Sequence, residues 1–281
     1  MSTSPLRFPF PVVGLHPRPR PGVSVRPSAA SHTFLIHPPY GRLEFHASFE
    51  SLQKRHLLPG SVAGIRLEQG TEWASVEPAI RQLKSHLVAA PLVLIVPGAS
   101  GPDLLLSARA ARAGVRAVLI EGEPLRQNLL VPLTCRDSLA EDVVEWLTLR
   151  HLRLSPTVSS LLREIFAHAA SQPDLSTLLT RVGLPESSAR FRLHKRLLPT
   201  PSRWFQAARA LHCALRVQAS PDAPLMRIAH EFGYADHSAL SQLVYRSFRV
   251  RPGAVRGTLG WEWLMHRWIG TLPEFTRSTR T

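Results

Sequence analysis

Residues 228–256, IAHEFGYADHSALSQLVYRSFRVRPGAVR, carry the most informative spacing in this 281-residue chain. Ile228 and Ala229 lie on what would be the inner face of a short helix, and Gly233 follows where a sharp stop needs positive φ. Asp236 then stands just ahead of a second helical stretch, where its carboxylate can accept the unpaired amide hydrogens of the first turn. A helix, a glycine turn and a capped helix make a helix-turn-helix. The chemistry of such a unit is hydrogen bonding rather than bond making. Its second helix, about His237 to Arg246, would lie in the major groove of duplex DNA with its early residues at the base edges.

Bond-making chemistry has less to stand on. Gly98, Gly101 and a helix opening near Asp103 could form a phosphate-binding turn, but there is no P-loop lysine and no Gly-x-Gly-x-x-Gly spacing. His46 and His56 are isolated, with no partner at metal-ligand spacing. Cys135 and Cys213 lie far apart and read as reduced thiols of a cytosolic protein. We therefore expect no catalysis, no cofactor and no metal.

Charge points the same way as the motif. The formal net charge is +14, and it is unevenly spread. Residues 156–281 hold 17 Lys+Arg against 8 Asp+Glu, residues 32–155 hold 13 against 12, and the first 31 residues add four arginines and no acid. A basic module joined to a nearly neutral one fits a nucleic-acid binder better than a uniformly solubilising charge does. An RNA-binding or purely structural protein could share the balance, but it would not need a capped second helix. No apolar run approaches a membrane span and the N-terminus lacks a signal's apolar core, so the expectation is a soluble, cytoplasmic, nucleoid-associated protein without a membrane partner.

The elements that must position these residues divide the chain into four. Residues 1–31, with Pro17-Arg18-Pro19-Arg20-Pro21, read as a disordered arm whose arginines are phosphate contacts or simply solvated charges. Residues 32–150 read as an α/β domain. Its expected strands are Thr33 to Ile36, Leu43 to His46, Val62 to Leu67, Leu92 to Val96 and Arg116 to Ile120, with helices over Val76 to Val88, Pro102 to Ala113 and Ser138 to Leu149. The run LVLIVPGASGPDLLLSARAARAGVRAVLIEG is a strand, a turn, a helix stopped by Gly114 and a second strand, which predicts a parallel crossover. From Pro156 the chain reads as helix after helix. Val158, Leu161, Leu162, Ile165 and Phe166 give the first its apolar face, and Pro173-Asp174 breaks it.

On Ile228, Ala229, Gly233, Tyr234, Asp236, Ser238, Pro252 and Arg256, the chain resembles the DNA-binding domain of AraC/XylS-type transcription regulators. Leu175 to Ala214 resembles that family's first helix-turn-helix and its connector. Val182-Gly183-Leu184 would be the turn, Glu186 to Arg196 the first reading helix, and Pro201 to Val217 the connector, with Trp204 and Phe205 buried and Arg209 at the family's usual arginine. The resemblance, over residues 156–257, implies an all-α domain with two units in successive major-groove segments of double-stranded DNA. By position it implies base reading by Ser187, Arg190 and Phe191 in the first unit and by His237, Ser238, Ser241 and Gln242 in the second. Arg192, Lys195, Arg196, Arg203, Arg246, Arg249 and Arg251 would contact phosphates. The chain departs from the family at Leu198 and Arg249, where a glycine usually follows each reading helix, at Pro185 in place of a serine cap, and at Gln242 in place of an arginine. Residues 258–281, with Trp261, Trp263 and Trp268, extend past the family's domain as an extra packed helix or a partner surface.

The α/β domain resembles, over Val62 to Leu149, the later half of a response-regulator receiver, an incomplete flavodoxin-like fold. The places of its acceptor, metal-binding pair and lysine hold Glu68, His37-Pro38 and Glu121 or Glu123. The expected role is interaction or dimerisation without phosphorylation, or a scaffold with no signal input. Candidate partners besides DNA are a second copy of the chain and RNA polymerase.

Overall fold

The computed structural model describes residues 31–47, 49–53, 57–98, 101–134, 139–152, 154–272 and 275. The arm expected over the first 31 residues lies outside them except for Ser31, as does Cys135. The N-terminal part runs β1 (Ser31–Ile36), β2 (Leu43–His46), α1 (Phe49–Gln53), β3 (Val62–Leu67), α2 (Trp73–His86), β4 (Leu92–Val96), α3 (Gly101–Arg112), β5 (Ala117–Ile120), α4 (Leu125–Thr134) and α5 (Leu139–Leu149). The strands are the apolar runs of the sequence. Two helices, α1 and α4, fall where no helix is expected, and α4 carries Pro132 inside it.

The strands form one sheet in the order β2-β1-β3-β4-β5. β3, β4 and β5 are parallel, joined by crossovers through α2 and α3, whereas β1 runs antiparallel to both β2 and β3. The order is that of flavodoxin-like sheets, but the direction of β1 is not. Length accounts for part of this: residues 37–42 alone join β1 to β2, too few for a parallel return, so that pair is antiparallel, whereas the direction of β1 against β3 is set by long-range pairing. The receiver-like expectation therefore needs correction at its N-terminal strand. His37-Pro38 follows β1 at the sheet end where β3 begins, with His37 Nδ1 at 2.8 Å from Ser61 Oγ. Glu68 and Glu121 follow β3 and β5 at the opposite end, where His32 faces Glu68 and Arg66 pairs with Glu121.

Alternation along the strands gives the sheet two apolar faces. Leu35, Ile65, Leu92 and Leu94 pack under α2 and α3 with Val76, Ile80, Leu83 and Ala110. Phe34, Ile36, Val93, Ile95 and Leu119 pack on the other face with Leu129 and Leu133 of α4 and with Leu259 from the C-terminal part.

The rest is helical: α6 (Pro156–His168), α7 (Leu175–Arg181), α8 (Glu186–His194), α9 (Pro201–Ala219), α10 (Leu225–Glu231), α11 (His237–Phe248), α12 (Pro252–Val255) and α13 (Glu262–Gly270). The long α9 is buried almost all round, with Trp204, Phe205, Ala207, Ala208, Leu211 and Leu215 inside, and α6, α7, α8, α10 and α11 gather on it. Small residues along α9 let these neighbours approach closely. The same apolar core begins at Leu139, so α5 packs with the helical part, against α6, rather than under the sheet. α4 rests on α9, Trp146 Nε1 donates to Val88 O, and Lys84 Nζ pairs with Glu145 at 2.5 Å. Among the described residues no helix is long and apolar enough to cross a membrane.

Candidate nucleic-acid interface

The second helix pair, α10 and α11, is built by local rules. Ile228 and Ala229 are fully buried, and Gly233 turns the chain at φ +75°, a conformation that costs glycine little. Asp236 Oδ1 accepts from the amides of Ser238 at 2.7 Å and Ala239 at 2.9 Å, and these bonds hold its carboxyl below the usual aspartate range. Leu240, Val244 and Phe248 anchor the inner face of α11. The outer face then presents His237, Ser238, Gln242, Tyr245, Arg246 and Arg249 to solvent, with Ser241 half-buried beside them. From His237 to Trp261 the chain holds no acidic residue. Four of the positions expected to read bases, and two expected to touch phosphate, Arg246 and the C-cap Arg249, thus share one surface of α11 and its end.

Tyr245 belongs to that surface and is absent from the expected set. It is half exposed at 49%, one turn beyond Gln242. Helical spacing from Ser238 and Gln242 would have found it.

The first pair, α7 and α8, follows the same plan with weaker local signals. Asp174 caps α7 through Thr177 N at 2.8 Å, and Gly183 makes the turn. α8 begins at Pro185, whose ring offers no capping oxygen. Ser187, Arg190 and Phe191 are all exposed, Phe191 by 67%, so a large apolar ring is left uncovered by the described residues. Arg190 Nη2 pairs with Glu186 Oε1 at 2.9 Å, an exposed contact of small worth that a stronger partner can displace. α8 ends at His194, so Lys195 and Arg196 fall in the following turn rather than on the helix. The left-handed residue after α8 is Leu197, at φ +56°, and it is exposed by 76%. Leu198, expected at that position, is instead buried, a displacement of one residue. After α11 the left-handed residue is Arg249 itself, at φ +57°.

Arg209 joins the two pairs. From the middle of α9, its Nε donates to Tyr234 Oη at 2.9 Å and its Nη2 to Phe232 O at 2.5 Å, at the end of α10. Its Nη1 donates to Gln172 O at 2.5 Å, just ahead of α7. Burial raises the Tyr234 phenol's pKa, and the Arg209 hydrogen bond partly offsets this. One guanidinium therefore bridges carbonyls from both units across α9. Arg216 similarly grips Glu231 through two bonds, and Arg256 donates to Ala223 O at 2.6 Å. These arginines hold the scaffold, so the positive charge facing outward is smaller than the regional sum.

Of the residues expected at phosphates, Lys195, Arg196, Arg203, Arg246, Arg249 and Arg251 are exposed and Arg192 is half-buried. A cavity of about 40 Å³ lies elsewhere, at the junction with the α/β part, lined by Lys84, Arg116, Asp142, Trp146, Trp261 and Glu262. Such a volume suits a water rather than an effector. Among the described residues, no group of three or more His, Cys, Asp or Glu side chains is placed to hold a metal ion. Comparison with protein-family models, with curated proteins and with solved structures finds no match to this chain.

Proposed function

We propose that this protein is a sequence-specific regulator of transcription of the AraC/XylS type. In this reading it binds duplex DNA with α8 and α11 in successive major-groove segments. The observation that carries the reading is the outer face of α11: a helix capped by Asp236 and anchored by Leu240, Val244 and Phe248, that turns Ser238, Gln242 and Arg246 outward in a stretch with no further acid before Glu262. Gln242 suits adenine by a bidentate amide pair, and Arg190, once released from Glu186, suits guanine. Phe191 offers apolar contact to a thymine methyl. Because the exposed arginines displace counterions, raising salt from about 50 to 200 mM should weaken binding of a selected duplex by a factor on the order of 10² or more. Retardation of labelled duplex, single-stranded DNA and RNA across that range is the measurement. Salt-insensitive binding, or equal affinity for all three, would sink the proposal.

The α/β part serves interaction or dimerisation, with a second copy or RNA polymerase as candidate partner, and is not switched by phosphorylation. The antiparallel β1 supports this, because it puts His37-Pro38 at the opposite sheet end from Glu68 and Glu121. Phosphoryl transfer to a carboxylate needs acceptor and charge-neutralising groups gathered at one place. Incubation with acetyl phosphate and Mg²⁺ should leave intact mass and DNA affinity unchanged, and a stable phosphoryl adduct on the α/β part would overturn the claim.

A further inference from the structure

α13 touches both the α/β part and the end of the second reading helix. At its start, Glu262 Oε1 accepts from Arg116 Nη2 at 3.1 Å, and Arg116, just ahead of β5, also pairs with Asp142 of α5. The Arg116 and Glu262 side chains are only 12% and 7% exposed, so each charge depends on the other for compensation. Burial alone would lower the Arg116 pKa, yet Glu262 and Asp142 outweigh it and keep the guanidinium charged. Trp261 lies under that guanidinium at 5.2 Å and meets Trp146 of α5 edge-on at 5.9 Å. Gly260, at φ +80°, lets the chain pass Pro91 ahead of β4, where an added Cβ would come within 3.0 Å of the proline ring.

Further along, Trp268 meets Trp204 of α9 with ring centroids 4.6 Å apart. Arg267 then turns toward α11: its Nε donates to Phe248 O at 2.8 Å and its Nη2 reaches Arg249 O at 3.5 Å. These are the last carbonyls of α11, which intrahelical bonding leaves unpaired and the helix dipole makes negative. Arg249 itself holds a left-handed conformation that glycine adopts freely and arginine does not. A guanidinium fastened to both carbonyls holds this turn where the residue type alone would not.

We propose that Arg267 is a positioning residue for the second reading helix, and that α13, through the Arg116–Glu262 pair, lets the α/β part set how α11 is presented to DNA. The second clause rests on the DNA-binding reading above, while the first stands on the chain alone. The test uses the full chain. In hydrogen exchange without DNA, Arg267→Met should speed exchange at the amides of the last turn of α11 and of Arg249, which donates to Tyr245 O, by about tenfold, the effect of losing a charge-assisted bond, with α8 unchanged. Arg267→Lys should recover part of the protection. Glu262→Gln, at the far end of α13, should speed the same amides by a smaller factor, about threefold.

With DNA, Arg267→Met should weaken a site's α11 half-element about tenfold while base preference at the α8 half-element is kept. Should Arg267→Met fail to fold, Arg267→Lys and Glu262→Gln carry the test. Unchanged exchange at the last turn of α11 and at Arg249 in Arg267→Met and Arg267→Lys would overturn the positioning role. A Glu262→Gln effect confined to β5 and the start of α13 would overturn the coupling. Absence of site-specific DNA binding by the unmodified protein would defeat the DNA-binding reading but leave the exchange result standing.

Discussion

The two helix pairs use one plan with unequal means. In the second, Asp236 caps α11, the next acid along the chain is Glu262, and Arg267 fastens the far end. In the first, Pro185 supplies no cap, Glu186 faces Arg190 across one turn, and among the described residues no side chain bonds to the left-handed Leu197 that closes the turn. The difference teaches that a shared backbone plan does not imply a shared load. α11 is held at both ends and presents polar groups, so it is expected to supply most of the base discrimination. α8 presents Phe191, with Leu197 exposed in the turn that follows it, and is expected to add contact and register.

The largest expected effect tests whether both units act at all. α9 holds them as one body, with Arg209 bonded to Gln172 O and Phe232 O, so their reading helices should sit about one helical turn apart, roughly 34 Å. Inserting about five base pairs between the half-elements puts the second on the wrong side of the duplex. Affinity should then fall toward the non-specific level, a loss on the order of 10³. Binding titrations on spaced duplexes measure it, and undiminished affinity would show that α11 alone reads DNA, breaking the comparison outright.

Much of this asymmetry was legible before the fold was known, because it is local. Gly233, Asp236 and Pro185 act on their own backbone neighbours, and the strands are short runs of apolar residues such as LVLIV at β4. What was not legible is long-range. The pairing of Arg116 with Glu262 joins residues 146 positions apart, and no spacing rule reaches across that gap. α4 hid because its first turn follows Pro124 and Pro132 sits within it, while its apolar residues do not form one clean stripe. The antiparallel pairing of β1 with β2 follows from the short connection at residues 37–42, but its direction against β3 is a long-range pairing that the strand pattern itself does not express. Leu197 and Leu198 were exchanged because adjacent leucines give no hint of which one leaves the core.

A smaller effect separates reading from anchoring within α11. Gln242→Ala should cost about 1 to 3 kcal/mol on the preferred site and little on unrelated duplex, since a lost base contact removes discrimination. Arg246→Ala should weaken both alike and lower the salt slope by about one. Equivalent substitutions in α8 sharpen the contrast: Ser187→Ala should change discrimination less than Gln242→Ala does. Competition titrations with single-base variants check the ranking, and a Ser187→Ala effect exceeding that of Gln242→Ala would reverse the roles assigned to the two helices.

The smallest expected effect concerns the cap itself. The amides of Ala239 and Ser238 favour the ionised carboxylate of Asp236, so its pKa is lower in the folded chain than in the unfolded one. A group shifted in that direction contributes stability that is fully present above its unfolded pKa, about 3.9, and is lost as pH falls through the lower folded value. Acid should therefore loosen the start of α11 before it disturbs the start of α8, where Pro185 offers no side-chain oxygen to protonate. Amide shifts of Ser238 and Ala239 followed by NMR from pH 6 downward, a range of about three units, should titrate together at a value below that of an exposed aspartate. Asp236→Asn, which keeps an acceptor oxygen but cannot ionise, should abolish that titration and leave the amides of α8 as they were. If the asparagine variant retains it, the acid sensitivity belongs to another group, and the asymmetry between the helix starts is not of electrostatic origin.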